Sequence, residues 1–268
     1  MKPLYILKLG GSVITQKDRS GGQLRLSLIR KIAKEIKASL ESQSFNLILI
    51  HGAGSVGHQL AHKYELAKGA NQTKKGWKGS LISRIANQTM DVSISDIFVK
   101  NSLPVVSIHT SSVIIQTNRK ISHFDLETIK ESLKQNCIPL LYGEMVLDRK
   151  LGMTICSGDA IAPYLAKKFG AQKMFFASDI DGVFNQDPHL HKNAKLIKKI
   201  RLSDIEKKSS LTHSHSIDTT GGLLGKIKKI KEFKNSNIKA VEIFNGLEPK
   251  NYKKALSGKS FNHTFIEI

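Results

Sequence analysis

Hydrophobic residues along the chain form short apolar runs that alternate with stretches in which they recur every three or four positions. A short apolar run bounded by turn residues favours a buried strand, and the recurrent spacing favours an amphipathic helix. The runs predict strands at 3–9, 45–50, 104–108, 138–142, 173–177, 240–244 and 261–268, with hairpins at 113–121 and 145–151. The recurrent spacing predicts helices at 26–40, 55–66, 80–99, 126–134, 161–169 and 223–233.

Predicted strands and helices alternate along nearly the whole chain. Such alternation is typical of a mainly parallel sheet that is covered by helices on both faces. The sequence therefore predicts an α/β protein built as a three-layer αβα sandwich around a central, mainly parallel sheet. Ligands in such sheets bind beyond the carboxyl ends of the strands, so the residues that follow each strand are the candidates for function.

Glycine-rich turns follow the first two predicted strands. The first reads Lys8-Leu9-Gly10-Gly11-Ser12, and the second reads His51-Gly52-Ala53-Gly54-Ser55-Val56-Gly57-His58. Glycines let the backbone approach a phosphate closely, and the N–H groups at the start of the next helix can bind it. One such turn can equally be a tight connection without a ligand. Two of them with lysines nearby favour phosphate binding.

Two large classes of phosphate-binding proteins do not fit the second turn. Its glycines match the spacing G-x-G-x-x-G of dinucleotide sites, but such sites need an acidic residue about 20 positions further on for the ribose. No Asp or Glu lies between Leu66 and Met90. The turn also lacks the Gly-Lys-Ser/Thr ending of a Walker A loop. Phosphate binding here therefore points to another class of protein.

Further residues whose side chains could take part in binding or catalysis lie at the ends of predicted strands or the starts of predicted helices. Lys8 lies in an apolar strand, where a lysine is costly to bury unless it faces an anion. Each of the others taken singly reads as a helix cap or a turn. They are Lys17, His58, Ser157-Gly158-Asp159, Asp179-Ile180-Asp181-Gly182-Val183, and Thr219-Thr220-Gly221-Gly222 ahead of Lys226.

Taken together and in this order, these motifs resemble the amino acid kinase superfamily over nearly the whole chain. Within it, residues 10–15 with Lys17, and residues 54–58 with a histidine in the first helical turn, are similar to the isopentenyl phosphate kinase branch. The chain departs from the usual residues of that branch at Ala53, Val56 and Gln59.

The resemblance implies transfer of the γ-phosphoryl group of ATP to isopentenyl phosphate, a step of an alternate mevalonate route to isoprenoids. It also implies Mg²⁺ that arrives with ATP, and a cytoplasmic homodimer. Residues 1–268 would form a single domain with an acceptor-binding lobe at about 1–170 and a nucleotide-binding lobe at about 171–268. The alternative within the superfamily is a fosfomycin kinase-like enzyme, or another kinase of a small phosphonate, phosphate or carboxylate.

The resemblance also implies roles for single residues. Lys8 and Lys226 would contact the phosphates of ATP, and Lys17 would lie over the transferring group. His58 would form a hydrogen bond with the acceptor phosphate, and Asp159 would hold the lysines in place by ion pairing. The remaining residues of the ATP site would be Gly10, Gly11, Ser12, Gly54, Asp179, Asp181, Gly182 and Gly222. Those of the acceptor site would be Ala53, Gly54, Gly57 and Gly158.

The wall of a pocket for an apolar acceptor tail is harder to find in the sequence. The stretch from Trp77 to Val99 carries apolar residues at helical spacing, which suits either a pocket wall or a stripe that faces the core. The candidates are Ile82, Ile85, Ala86 and Met90.

A large positive charge raises an alternative from another class, a basic nucleic-acid-binding protein. The chain has 42 Lys and Arg against 22 Asp and Glu, a formal net charge of +20. Only seven of the 42 are arginine, the residue best suited to bidentate contacts with phosphates and guanine, and aromatic residues make up 6%. Scattered lysines favour a solvated surface that attracts small anions. Affinity that falls steeply with salt would instead indicate nucleic acid.

Several other classes of protein are not favoured. No apolar run approaches the roughly 20 residues of a membrane span, and the N-terminal run is too short for a signal peptide. Two cysteines are too few for a disulfide framework or a zinc cluster. The pairs His189/His191 and His213/His215 lack Cys or acidic partners at ligand spacing, so no metal site is predicted. We expect a soluble protein of a reducing compartment.

Overall fold

The computed structural model describes residues 2–16, 22–71, 73–186, 188, 190–203 and 238–268. Within these residues, eight strands form one large sheet and four form a smaller one. The large sheet contains β1 (Leu4–Leu9), β2 (Asn46–His51), β3 (Val105–Ser107), β6 (Ile138–Tyr142), β9 (Lys173–Ser178), β10 (Lys199–Arg201), β11 (Ala240–Asn245) and β12 (His263–Glu267). The smaller sheet contains β4 (Ile114–Thr117), β5 (Lys120–Phe124), β7 (Glu144–Asp148) and β8 (Gly152–Cys156).

Helices follow most of these strands in the described part of the chain. A 3-10 turn at Leu66–Lys68 connects the third helix to the fourth. The helices are α1 (Gly11–Ile14), α2 (Leu26–Ser42), α3 (Gly54–Lys63), α4 (Lys74–Lys100), α5 (Thr110–Val113), α6 (Glu127–Lys134), α7 (Gly158–Phe169) and α8 (Asn251–Leu256). None of these described helices is both long enough and apolar enough to cross a membrane.

The large sheet is mainly parallel, as predicted. Its strand order is β10-β12-β11-β9-β1-β2-β6-β3, and among these described strands only β11 and β12 pair antiparallel. Since β11, β9, β1, β2 and β6 are parallel neighbours, their carboxyl ends meet along one edge. The loops that follow these strands therefore converge on one region.

Alternating side chains of the central strands pack into two hydrophobic cores, one on each face of the sheet. Ile6 of β1 packs in one core with Ile161 of α7. Its neighbour Leu7 packs in the other core with Ile32 of α2 and Ile94 of α4. Because successive side chains of a strand point to opposite faces of the sheet, helices cover both faces. The predicted three-layer sandwich is confirmed.

The longest helix begins earlier than the sequence predicts. α4 starts at Lys74 instead of residue 80, because the side chain of Thr73 caps it by accepting a hydrogen bond from the N–H of Gly76 at 3.0 Å. Gly76 lies against the backbone of Ala70, and Gly79 lies against the ring of Tyr64. These glycines let α4 pack closely against Ala70 and Tyr64, although glycine is unfavourable in the interior of a helix.

Other predicted elements agree with the structure to within a few residues, with some exceptions. The hairpin predicted at 145–151 extends through β7 and β8 to Cys156. Helices α1, α5 and α8 and strand β10 were not predicted, and each is only three to six residues long. The helix predicted at 223–233 lies outside the described residues.

The carboxylate of Asp148 fixes the smaller sheet, whose strands β7 and β8 form one side of the pocket described below. It accepts hydrogen bonds from the N–H groups of Asn118, Arg119, Lys150 and Leu151 at 2.7–3.0 Å. Burial by itself raises the pKa of Asp148, but these backbone hydrogen bonds outweigh it and lower the pKa to about 2. One side chain thereby holds the turns of both hairpins.

Candidate active site

The glycine-rich turns after β1 and β2 lie against each other at the carboxyl edge of the sheet. The N–H of Gly52 donates to the carbonyl of Leu9 at 3.0 Å. A Cβ atom on Gly11 would lie 2.9 Å from the nitrogen of Gly54, and one on Gly52 would lie 2.9 Å from the nitrogen of Gly11. No side chain fits at these backbone contacts. Two motifs that are 40 residues apart in sequence therefore form one structure.

Thr15 locks the two turns together. Its Oγ1 donates to the carbonyl of Gly11 at 2.8 Å and accepts from the N–H of Ser55 at 2.9 Å. Gly54 has a φ of +62°, and a Cβ atom there would overlap the Thr15 side chain. The second turn therefore requires glycine for both its conformation and its packing.

Lys8 is aimed at the start of α7. The alternation along β1 places Lys8 on the same face as Ile6, which is the face that α7 covers. Its Nζ lies 3.0 Å from Oδ1 of Asp159 in the first turn of α7, and the two side chains are 6% and 29% exposed. The structure thus supplies the anionic partner that a lysine in an apolar strand requires.

A pocket of about 140 Å³ opens between α3, α4, α7 and the β7–β8 hairpin. Many of the residues that the sequence singles out border it, and the residues that the sequence missed include Ser83 and Asn87 of α4. One end is lined by Lys8, Gly11, Gly52, Ala53, Gly57, His58, Gly143, Ser157, Gly158 and Asp159. The other end and the α4 wall are formed by Ala61, Ser83, Asn87, Glu144, Met145 and Ile155.

The apolar residues of α4 that were candidates for the tail pocket do not line it. Ile85 is 62% exposed, and Met90 belongs to the core between the sheet and α2. Ile82 and Ala86 are partly buried outside the pocket lining. The helix is rotated so that its polar positions face the pocket, an orientation that the mixed sequence of α4 does not reveal.

His58 is the fifth residue of α3, just past the first turn in which the sequence placed it; it is exposed and borders the pocket. The neighbouring Gly57 donates its N–H to the carbonyl of Ala53 at 3.1 Å. Gly57 therefore shapes the pocket by having no side chain. A Cβ atom on Gly57 would lie 3.3 Å from Oδ1 of Asn87.

The loops after β1, β9 and β11 form a second group beside the first. The N–H of Gly10 donates to the carbonyl of Ala177 at 2.9 Å, and that of Gly246 donates to Ser178 at 2.7 Å. Asp179, Asp181 and Gly182 follow β9, and Nδ2 of Asn245 donates to Oδ1 of Asp181 at 3.1 Å. Asn245 was missed, although its position at the end of a strand and before Gly246 is a usable signal.

A buried polar network under the second turn was also missed. Nε2 of His51 lies 3.1 Å from Oδ1 of Asp91, and its Nδ1 lies 2.9 Å from the carbonyl of Gly52. Its ring stacks on Tyr142 with the centroids 5.2 Å apart. An aspartate in the middle of a long helix is the one sequence signal for this network, and it does not reveal its partner.

Glu144 adds a buried carboxylate to the pocket. Burial raises the pKa of Glu144, while its Oε2 accepts from the N–H of Ser111 at 2.8 Å. Its Oε1 accepts from Nε2 of Gln88 at 3.2 Å and lies 3.7 Å from Nε of Arg84. The pocket therefore contains a carboxylate that is held by α4 and α5.

Three of the predicted site residues, Lys17, Gly222 and Lys226, lie outside the described residues, as do His189, His213 and His215. Within the described ranges, no three His, Cys, Asp or Glu side chains are grouped so that they could hold a metal ion.

Glycine turns, a buried lysine and an exposed histidine at the carboxyl edge of a parallel sheet are typical of phosphate-binding sites in α/β proteins. The model of the amino acid kinase family matches residues 3–245. The chain belongs to this family and is a phosphotransferase.

Its full-length relatives include the isopentenyl phosphate kinases of Methanocaldococcus jannaschii and Methanothermobacter thermautotrophicus. The first is 36% identical over 96% of both chains, and the second is 30% identical over 98% of both. A solved structure of isopentenyl phosphate kinase superposes with a TM-score of 0.82 at 28% identity, covering 98% of this chain and 99% of the other. The resemblance noted in the sequence is confirmed.

Proposed function

We propose that the protein transfers the γ-phosphoryl group of ATP to isopentenyl phosphate, giving isopentenyl diphosphate and ADP. The observation that carries this proposal is one pocket that joins Lys8, His58 and the two glycine turns. Such a pocket can bring two phosphates together. The full-length relatives named above support isopentenyl phosphate as the acceptor.

The reaction needs positioning and charge neutralisation more than covalent chemistry. Two phosphates repel each other, so cations must lie between them. In our proposal Lys8 and Lys226 hold the phosphates of ATP, and Lys17 stabilises the transferring group. Asp159 is paired with Lys8 at 3.0 Å and keeps this lysine in place.

Two groups of backbone and side-chain contacts would hold the substrates in this proposal. The acceptor phosphate lies against His58 and the starts of α3 and α7, where helix N-termini favour anions. Ala53, Gly54, Gly57 and Gly158 leave room for it. The nucleotide lies over Gly10, Gly11, Ser12, Gly54, Asp179, Asp181, Gly182 and Gly222. The nucleotide-binding lobe, residues from about 171 onward, would therefore share this site with the turns after β1 and β2.

Mg²⁺ would be held mainly by the phosphates of ATP and by water. The described residues offer no group of three ligands for a metal, and Asp181 is engaged by Asn245. Mg²⁺ often binds through one or two carboxylates together with substrate phosphates, so this donor set suits an ion that arrives with the nucleotide. When bound, the ion neutralises charge on the phosphates.

The proposal is tested by replacing His58 with alanine. We expect the KM for isopentenyl phosphate to rise about 10-fold or more, because a hydrogen bond to a charged group is worth about 1.5–3 kcal/mol. The KM for ATP should change less than twofold. A coupled assay of ADP release gives both constants.

The matched control is His62→Ala, which removes an exposed histidine from the last turn of the same helix. Equal losses for ATP and acceptor in His58→Ala would contradict the acceptor-side role. Phosphorylation of fosfomycin or of a carboxylate, without turnover of isopentenyl phosphate, would replace the proposed function by its alternative.

We further propose that the protein is a homodimer that pairs through α4. Leu81, Ile85, Val92 and Val99 are 46–62% exposed, and their spacing of four and seven residues places them on one face of this helix. An exposed apolar stripe of this kind is typical of a helix that packs against a partner.

Light scattering should therefore give about twice the 29.7 kDa of one chain. The double variant Val92→Glu with Val99→Glu should give a single chain, because it places charges in the contact. Leu190→Glu, at a 77% exposed apolar residue elsewhere, is the control that should leave the mass unchanged. A wild-type mass of one chain would contradict the proposal.

A further inference from the structure

The buried face of α4 is polar where it borders the pocket. Ser80, Ser83, Asn87 and Asp91 are each at most 3% exposed, and their spacing of three or four residues aligns them along one face. Asp91 is bonded to His51 and to Ser107. Further along the helix the buried face becomes apolar.

Among these buried polar residues of α4, Asn87 has an amide oxygen without a hydrogen-bond partner among the described residues. It is 2% exposed, it lines the pocket, and its Oδ1 has no hydrogen-bond partner in the part of the chain that the structure describes. Buried polar groups are nearly always hydrogen-bonded, and an exception calls for an explanation. A ligand in the pocket is the explanation that the position of Asn87 offers.

The packing of α3 against α4 shows which part of an acceptor would meet these side chains. Gly57 faces Asn87, and Tyr64 faces Gly79, so the two helices run antiparallel. Ser83 therefore lies near the level of Ala61, about one helical turn of 5.4 Å beyond Asn87. His58 stands next to Gly57 at the phosphate end. A phosphorylated acceptor that enters from His58 would place its carbon chain beside Asn87 and Ser83.

An apolar chain such as that of isopentenyl phosphate would pack against the apolar residues of the pocket but leave Oδ1 of Asn87 without a hydrogen bond. Displacing water from a polar group without replacing its hydrogen bonds lowers affinity. A hydroxyl both donates and accepts, so it matches the amide of Asn87 in either orientation and the hydroxyl of Ser83 as well. The apolar residues Ala61, Met145 and Ile155 still surround the rest of the chain.

A charged group on the chain fits less well. The buried carboxylate of Glu144 borders the pocket, and it would repel a carboxylate on the acceptor. The oxygens of Glu144 already accept from Ser111 and Gln88, and Oε1 lies 3.7 Å from Nε of Arg84, so Glu144 does not call for a further cation. The wall is therefore suited to a neutral hydrogen-bonding group.

We infer that the acceptor pocket also takes phosphate monoesters of short branched alcohols whose chain carries a hydroxyl, and that Asn87 with Ser83 recognises this hydroxyl. The inference rests on the proposed function, since it assumes that a phosphate monoester is the acceptor. It widens the range of acceptors beyond an alkenyl phosphate.

The test compares two acceptors that share a carbon skeleton, isopentenyl phosphate and 3-hydroxy-3-methylbutyl phosphate. We expect the wild-type protein to use the hydroxylated acceptor with a kcat/KM at least equal to that for isopentenyl phosphate. In Asn87→Leu the ratio of the two kcat/KM values should fall about 10-fold or more. In Ser83→Ala it should fall less, by a few fold. Thr89→Leu, at an exposed position of α4, is the matched control.

The outcomes separate the inference from the proposed function. The inference is overturned if the ratio of the two kcat/KM values is unchanged in both variants, or if the wild type does not use the hydroxylated acceptor. In either case, turnover of isopentenyl phosphate leaves the proposed function intact. Equal losses for both acceptors in Asn87→Leu also overturn it, since Asn87 would then bind the shared phosphate. No turnover of either acceptor overturns the proposed function itself. Ser83→Ala and Asn87→Gln serve if Asn87→Leu does not fold.

Discussion

Replacing Lys8 with methionine should lower kcat by about 10²–10³-fold, the usual effect of removing one preorganised charged or hydrogen-bonding group from a site of charge transfer. Methionine keeps most of the aliphatic stem, so we expect the melting temperature to stay within a few degrees of the wild type. Asp159 is 29% exposed and can be solvated when its partner is lost. The measurement is the kcat for isopentenyl phosphate at saturating ATP.

The chain offers a matched control for this variant. Nζ of Lys100 pairs with Asp96 at 2.9 Å, as Lys8 pairs with Asp159, but Lys100 is exposed on α4. Lys100→Met should leave kcat within twofold, because an exposed ion pair contributes little. A kcat within threefold of the wild type in Lys8→Met would remove Lys8 from the mechanism.

Asp159→Asn separates positioning from direct contact. It keeps the size of the side chain but removes the charge that holds Lys8. If Asp159 acts through the lysine, its loss should be smaller than that of Lys8→Met, and the double variant should be no worse than Lys8→Met alone. Additive losses would assign Asp159 an independent role.

Replacing Gly54 with alanine should lower the free energy of unfolding by about 2–4 kcal/mol. A residue with a side chain in the left-handed region costs about 1–2 kcal/mol, and forcing extra atoms into a packed site costs about 1–3 kcal/mol more. Gly54 has both features, since its φ is +62° and its missing side chain makes room for Thr15. Displacement of the joined turns should also lower kcat/KM about 10²-fold. Urea unfolding and the coupled assay measure the two effects.

Gly258 serves as the control for backbone conformation alone. Its φ is +67°, but the nearest atom to an added Cβ is Nζ of Lys173 at 3.9 Å. Gly258→Ala should therefore cost only about 1–2 kcal/mol and leave kcat/KM unchanged.

A second change tests the packing directly. Thr15→Ser removes the methyl group that an alanine at 54 would overlap, while it keeps the hydroxyl that bonds Gly11 and Ser55. Combined with Gly54→Ala, it should restore about 1 kcal/mol of stability and part of the activity. Equal costs for Gly54→Ala and Gly258→Ala, with no rescue by Thr15→Ser, would show that the contact with Thr15 is unimportant.

The fold and the phosphate-handling half of the site were accessible from the sequence. Alternating strands and helices predicted the sandwich, because local periodicity records which side of each element is buried. The turns at Gly10-Gly11 and Gly52–Gly57 were accessible because closely packed backbone requires glycine, and clustered glycines can be recognised directly in a sequence. Lys8 was accessible because a charge inside an apolar strand is costly unless it has a partner.

The pairing of Lys8 with Asp159 was accessible only through the family resemblance, which implies it, and the structure confirms it at 3.0 Å. No local pattern shows this pair, because the two residues are 151 positions apart. The acceptor-facing side of the pocket was not accessible. The row of Ser83, Asn87 and Asp91 reads in sequence as a scatter of polar residues on a mixed helix. Its rotation toward the pocket follows from Gly57 and Gly79, where α3 and α4 approach closely.

By itself the sequence determined the layered architecture and the presence of two phosphate-type turns, since short-range spacing and glycine placement encode both. Only the tertiary structure decided that the two turns pack directly against each other, and that α4 presents the amide of Asn87 and the hydroxyl of Ser83 to the pocket. The physical reason is that contacts between elements depend on how helices rotate and pack on the sheet. That geometry is set by the sum of many distant contacts and not by the residues of any one segment.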